Sequence, residues 1–174
     1  LGVLADEAVG ESEIDAYIAA YEVPAADDDD NGDSTPAFEY IDVNGIASRY
    51  RQLGSGARTV LLIHGFGGDL NNWLFNMDEL ARQNTVIALD LPAHGGSAIR
   101  LPETADIAGL ADLVLNFLDA LGQQQVAVLA HSMGGAIAAQ MALAAPERIS
   151  RLALVSPCGA GSDINMDYIN GFIQ

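Results

Sequence analysis

The residue best placed for covalent chemistry in this 174-residue chain is Ser132, within Leu129-Ala-His-Ser-Met-Gly-Gly135. It follows an apolar run and opens a stretch rich in Ala and Gly, so it lies at a strand-to-helix turn. A serine there, with small residues two positions before and two after, has the context of a nucleophile elbow, a turn too tight for bulky neighbours. The small residues here are Ala130 and Gly134. Ala130 stands where the consensus has glycine, but it is still small. Such an elbow projects the serine from a helix N-terminus, where the positive end of the dipole favours an alkoxide or an oxyanion. His131 is expected to point away from the nucleophile.

A second motif, Leu62-Ile-His-Gly-Phe-Gly-Gly68, also follows an apolar run. The N–H after such a His-Gly pair can complete an oxyanion hole with the N–H that follows the nucleophile. By position the two donors are Phe66 and Met133, with Gly65 and Gly67 shaping the loop. The rival reading is a dinucleotide fingerprint, but Leu70 stands where its third glycine belongs. With the serine turn downstream, the oxyanion reading is preferred. His64 is then expected to hydrogen-bond the loop. A third motif, Asp90-Leu-Pro-Ala-His-Gly-Gly-Ser97, follows another apolar run. Pro and Gly fix a tight loop there, and Asp90 and His94 are expected to bond within it. Cys158 has neither a base nor an elbow and is expected to be buried.

The elements that must position these residues can be read from periodicity. Phe38–Val43 and Ile46–Leu53 form a hairpin about Asn44-Gly45, a strong two-residue turn signal. Thr59–Ile63, Thr85–Leu89, Gln125–Leu129 and Arg151–Val155 are apolar, β-branched-rich runs expected as strands buried on both faces. Helices are expected over Trp73–Arg82, Ile107–Leu121 and Met133–Ala145, the second ending at Gly122 and the third stopped by Pro146. Strands alternating with helices imply an α/β fold: a mostly parallel, doubly wound sheet with an antiparallel hairpin at its start.

Composition narrows the function. Twenty-four acids against seven basic residues give a net charge of -17 and a pI near 4.1. That excludes nucleic acid as an expected partner, because phosphate binding needs clustered Lys and Arg, and it disfavours anionic membranes. No apolar run approaches the ~20 residues of a membrane span, and no signal peptide is evident. A single cysteine fits a reducing compartment, so the expected location is cytoplasmic. All seven basic residues are arginines, so no lysine is present. Residues 1–48 hold 13 of the acids and no arginine. Three segments are expected: 1–24, 25–36 as an acidic disordered linker containing Asp27–Asp30, and 37–174 as the start of the catalytic-type domain. No metal site is expected.

The three motifs, in this order, resemble the α/β-hydrolase family over about residues 38–160. Within it, Gly65-Phe-Gly-Gly-Asp-Leu-Asn-Asn-Trp-Leu-Phe75 is most similar to the hydrolase-fold domain of acetoin dehydrogenase acetyltransferase components. Leu1-Gly-Val-Leu-Ala-Asp-Glu-Ala and Glu13-Ile-Asp-Ala-Tyr-Ile resemble the end of a lipoyl domain, so residues 1–24 would be its remnant. The resemblance implies acyl transfer from dihydrolipoamide to coenzyme A through Ser132. It also implies a small-molecule acyl substrate and other components of a 2-oxo-acid-dehydrogenase-like complex as partners. No cofactor is expected to be bound by this chain, which has no lysine to carry a lipoyl group.

In that family the chain order is nucleophile, acid, histidine. The histidines here are His64, His94 and His131, all before Ser132, and the acids after β-strand residues 151–155 are Asp163 and Asp167. The sheet is accordingly expected to be truncated on its C-terminal side, and these residues alone to be inactive. Two alternatives remain: a generic serine ester or carbon–carbon bond hydrolase, and a non-catalytic interaction module of a multienzyme complex.

Overall fold

The computed structural model describes residues 38–101 and 105–161. The expected segments 1–24 and 25–36, and the acids Asp163 and Asp167, lie outside the described residues.

A six-stranded sheet has the order β1-β2-β4-β3-β5-β6. Its strands are β1 (Glu39–Val43), β2 (Ile46–Leu53), β3 (Thr59–Ile63), β4 (Thr85–Leu89), β5 (Val126–His131) and β6 (Ile149–Val155). β1 and β2 form the expected hairpin, closed where Val43 faces Ile46. Asn44 and Gly45 take φ of 55° and 80°, the left-handed pair that matches the twist of the flanking strands. β2 continues antiparallel onto β4, and the β4–β3, β3–β5 and β5–β6 pairs are parallel. Sheet and strand directions therefore agree with the expected doubly wound arrangement.

Among the described residues three α-helices cover the sheet: α1 (Leu74–Ala81), α2 (Ile107–Ala120) and α3 (Met133–Ala144). Alternate residues along the strands feed two cores. Leu61, Ile63, Ile87, Leu89, Val128 and Ala130 face α2 and α3, meeting Val114, Phe117, Leu118, Ile137 and Met141. Leu62, Val86 and Ala88 face the other way, onto Leu70, Trp73 and Met77. Burial on both faces is why these strands read as continuous apolar runs. The α2 termini are sealed locally. Asp106 accepts a bond from Gly109 N–H at 2.8 Å, and Gly122, at φ 69°, sends the chain out of the helix. The N–H of Gln123 then donates to the Leu118 carbonyl, which satisfies one of the last-turn acceptors.

The helix expected over Trp73–Arg82 is α1, which a 3₁₀ turn over Leu70–Trp73 precedes. Asp69 and Asn72 cap that turn reciprocally, each side chain bonding the other's backbone end of the turn. One expectation is corrected: the strand at Arg151–Val155 is not buried. Among the described residues β6 is the outermost strand on its side of the sheet, and Leu152, Leu154 and Val155 are exposed. Among the described residues this edge position lacks the second neighbouring strand that its apolar sequence suits, although α3 packs against it.

Candidate active site at the strand ends

From β3 the chain first winds to one side, into β4, and then crosses to the other side, into β5. The carboxyl ends of β3 and β5 therefore lie side by side at the point where the winding reverses. In open α/β sheets this is where ligands bind. The loop after β3 carries His64–Gly68, and the turn after β5 carries Ser132.

Ser132 sits between β5 and α3 with φ 53° and ψ −118°. A non-glycine residue in this region costs on the order of 1–3 kcal/mol and persists only where its surroundings enforce it. Here they do. Its N–H donates to the Val155 carbonyl at 3.0 Å, and its own carbonyl accepts from Gly135 at 2.9 Å and Cys158 at 3.0 Å. Gly134 is fully pressed in: a Cβ would meet the carbonyl oxygens of His64 and Ile63, the latter at 2.7 Å. Ala130 is buried with no exposure and points into the core. Of the expected small residues on either side of the serine, Gly134 faces backbone that admits nothing larger and Ala130 is buried in the core. Met133 is the first residue of α3, so its N–H has no partner within the helix. His131 is exposed, and its Nδ1 would lie 3.1 Å from a Cβ on Gly65.

The β3 loop closes on the serine. A Cβ at Gly65 would stand 2.9 Å from the Ser132 Cβ, so the loop backbone approaches Ser132 as closely as glycine permits. Phe66 follows directly and is half-buried, its ring edge-on to the His94 ring at 5.8 Å. Gly67 turns the loop with φ 71°. His64 is completely buried. Its Nε2 accepts from the Leu91 N–H at 3.0 Å, which leaves the ring proton on Nδ1, donating to the Gly65 carbonyl at 2.7 Å. Both nitrogens are used structurally, as expected. Burial holds its pKa below the usual value, aided by the nearby His94 ring and opposed by the Gly65 bond, Asp90 and Asp69.

Asp90 is the second fastening and is also completely buried. One oxygen accepts from the Leu70 N–H at 2.7 Å; the other accepts from Gly96 N–H at 2.7 Å and Arg49 Nε at 2.6 Å. His94 Nδ1 bonds the Pro92 carbonyl at 2.8 Å. Both residues bond internally, as the sequence suggested. Arg49 was not evident as a partner. It lies 41 positions upstream on an antiparallel strand, and only the β2–β4 pairing brings it to Asp90.

Cys158 corrects an expectation. It is partly exposed rather than buried, and its Sγ lies 3.5 Å from Ser132 Oγ. A signal for it existed: Ser156-Pro157-Cys158 directly follows the strand paired with β5, so it had to emerge beside the serine turn. Among the described residues, that thiol is the only side-chain hydrogen-bond partner of Ser132 Oγ; His64, His94 and His131 do not bond it. No cluster of metal-ligating side chains occurs among the described residues, and none of their helices is long and apolar enough to cross a membrane.

Comparison with known proteins gives this geometry a family. A profile described as the alpha/beta hydrolase fold matches residues 58–173. The chain is 52% identical over its whole length to the dihydrolipoyllysine-residue acetyltransferase component of acetoin cleaving system from Cupriavidus necator. It is 41% identical, over 99% of its length, to the protein of that name from Pseudomonas putida. It spans 46% and 47% of those two relatives, about half their length. Among solved structures, a membrane phospholipase A described as a bacterial virulence factor is 34% identical with a TM-score of 0.71, over 78% of this chain and 45% of that one. The chain belongs to the α/β-hydrolase fold family, with relatives that are acetyltransferase components of acetoin cleaving systems.

Proposed function

We propose that this chain supplies the nucleophile and oxyanion hole for acyl transfer, from an S-acyl dihydrolipoamide to coenzyme A, within a multienzyme assembly. The observation that carries the reading is Ser132 held at φ 53° on the β5–α3 turn with Gly65 packed against it. Residues 37–174 then belong to the hydrolase-fold domain, residues 25–36 to an acidic linker and residues 1–24 to the end of a lipoyl domain.

Ser132 Oγ attacks the thioester carbonyl carbon. A C–O bond forms, the C–S bond breaks, and dihydrolipoamide leaves as the thiol with the proton lost by the serine. The coenzyme A thiol then attacks the acyl-serine; a C–S bond forms, the C–O bond breaks, and the proton returns to Oγ. The N–H groups of Phe66 and Met133 receive the oxyanion in both steps, with the α3 dipole adding to the field. Gly65 and Gly134 set the distance between the two donors and the serine. Lipoamide enters only as a substrate, because these residues include no lysine to bear it.

A serine hydroxyl needs a general base near neutral pH. His64 has both nitrogens engaged, and neither His94 nor His131 bonds the serine, which supports a base other than these three. Without one, the rate falls by several powers of ten. These 174 residues alone are therefore expected to turn over very slowly.

The test is formation of acetyl-coenzyme A from S-acetyl dihydrolipoamide by the protein isolated from its host. Ser132→Ala should abolish it. Ester hydrolysis that Ser132→Ala abolishes, with no acceptance by coenzyme A, would assign a hydrolase instead. Unchanged turnover in Ser132→Ala would leave this chain a non-catalytic module.

A further inference from the structure

The nucleophile is gripped from one side by a segment that lies outside the expected motifs. β5 and β6 run parallel with His131 opposite Val155, so Ser132 and Ser156 are neighbours. Both leave their strands in the left-handed region, at φ 53° and 44°. The paired turns carry the two chains off the sheet together. The Val155 carbonyl takes the serine's N–H, and the Cys158 N–H returns to the serine's carbonyl, each at 3.0 Å. Pro157 packs where only a glycine can face it: a Cβ on Gly135 would lie 2.7 Å from the Pro157 Cβ. With its backbone fixed this way, Cys158 brings its Sγ to 3.5 Å from Ser132 Oγ.

We infer that the turn Val155–Cys158 positions the nucleophile and that Cys158 is its positioning residue. Its amide locks the strained serine backbone, and its thiol holds Oγ in one orientation. The thiol suits this task. It is a weak hydrogen-bonding group, so it orients the hydroxyl without competing with the general base for the proton. It also stands beside the site where the carbonyl carbon must arrive, so added bulk on the sulfur excludes the acyl group. Cys158 is the only cysteine of the 174 residues and is partly exposed, so that bulk can be added chemically. The inference rests on Ser132 being the nucleophile.

Cys158→Ala and Cys158→Ser separate the amide from the thiol, since both keep the backbone bond. In the protein isolated from its host, the readout is the rate at which Ser132 is labelled by a fluorophosphonate. Cys158→Ala should slow labelling by on the order of three- to tenfold, the size of one weak hydrogen bond. Cys158→Ser should restore most of the rate, and both variants should keep the wild-type thermal midpoint. Pretreatment with N-ethylmaleimide should block labelling of the wild type but not of Cys158→Ala. A wild-type rate in Cys158→Ala, or labelling indifferent to maleimide, overturns the positioning role while leaving Ser132 as nucleophile. A wild type that labels no faster at position 132 than Ser132→Ala overturns both.

Discussion

Gly134 and His64 are the two side-chain choices on which the serine turn depends most directly. Gly134 faces the His64 and Ile63 carbonyls, so Gly134→Ala drives a methyl group into backbone that cannot turn aside. It is expected to cost about 1–3 kcal/mol, measured by urea denaturation, and to slow reaction at Ser132 by tilting the elbow. His64 gives a pH signature. Its pKa is depressed in the folded chain, chiefly by burial, so the unfolded chain binds the proton more readily. Its contribution is fully present above the ordinary histidine value, about 6.5. It is lost as the pH falls from there through the depressed folded value. The thermal midpoint should therefore drop on acidification below about pH 6.5. His64→Gln can still accept from the Leu91 N–H but gains no charge. It should start less stable and lose less over that range; an unchanged acid slope would show that another group controls it.

Loops here are held by elements, and Asp90 shows how. It directly follows β4, and its carboxylate reaches the 3₁₀ turn at Leu70, the loop at Gly96 and Arg49 on β2. One buried group therefore fixes the loop that brings Phe66 to the serine. Asp90→Asn keeps the shape but loses the charge opposite Arg49 and turns one acceptor into a donor facing N–H groups. Breaking a buried pair in this way costs about 3–5 kcal/mol, measurable by denaturation, and should slow labelling of Ser132 even where the fold survives. Much of this element layout was legible in the sequence. β2, β3 and β4 lie where apolar runs and turn residues placed them, and the Asn44-Gly45 turn has the backbone its residues demand. The 3₁₀ turn at Leu70–Trp73 was not, because its cap, Asp69 with Asn72, lies before the apolar periodicity starts. The Arg49–Asp90 pair was not either, since strand pairing across 41 residues leaves no local pattern.

At the scale of the whole molecule, charge and an open edge oppose each other. Among the described residues β6 has no strand on its outer side, and Leu152, Leu154 and Val155 are exposed, an apolar edge that invites association. The net charge of -17 keeps copies apart, most strongly at low ionic strength. The 174-residue chain should therefore self-associate more as salt rises, and Leu152→Arg with Leu154→Lys should suppress it; light scattering that is flat with salt would contradict this. The mostly parallel, doubly wound sheet was readable from the alternation of strands and helices, but the order of its strands was not. An apolar run reads the same in a central strand and at an edge. Cys158 escaped for a related reason: its place beside Ser132 follows from β5–β6 pairing, not from its neighbours in sequence. The serine itself was plain, because an elbow needs small residues at fixed offsets and the structure puts backbone where larger ones would go. The most direct test of its role is peptide mapping of the host-isolated protein after fluorophosphonate treatment. The adduct is expected on the peptide containing Ser132, and its absence there, with label elsewhere or nowhere, would contradict Ser132 as the nucleophile.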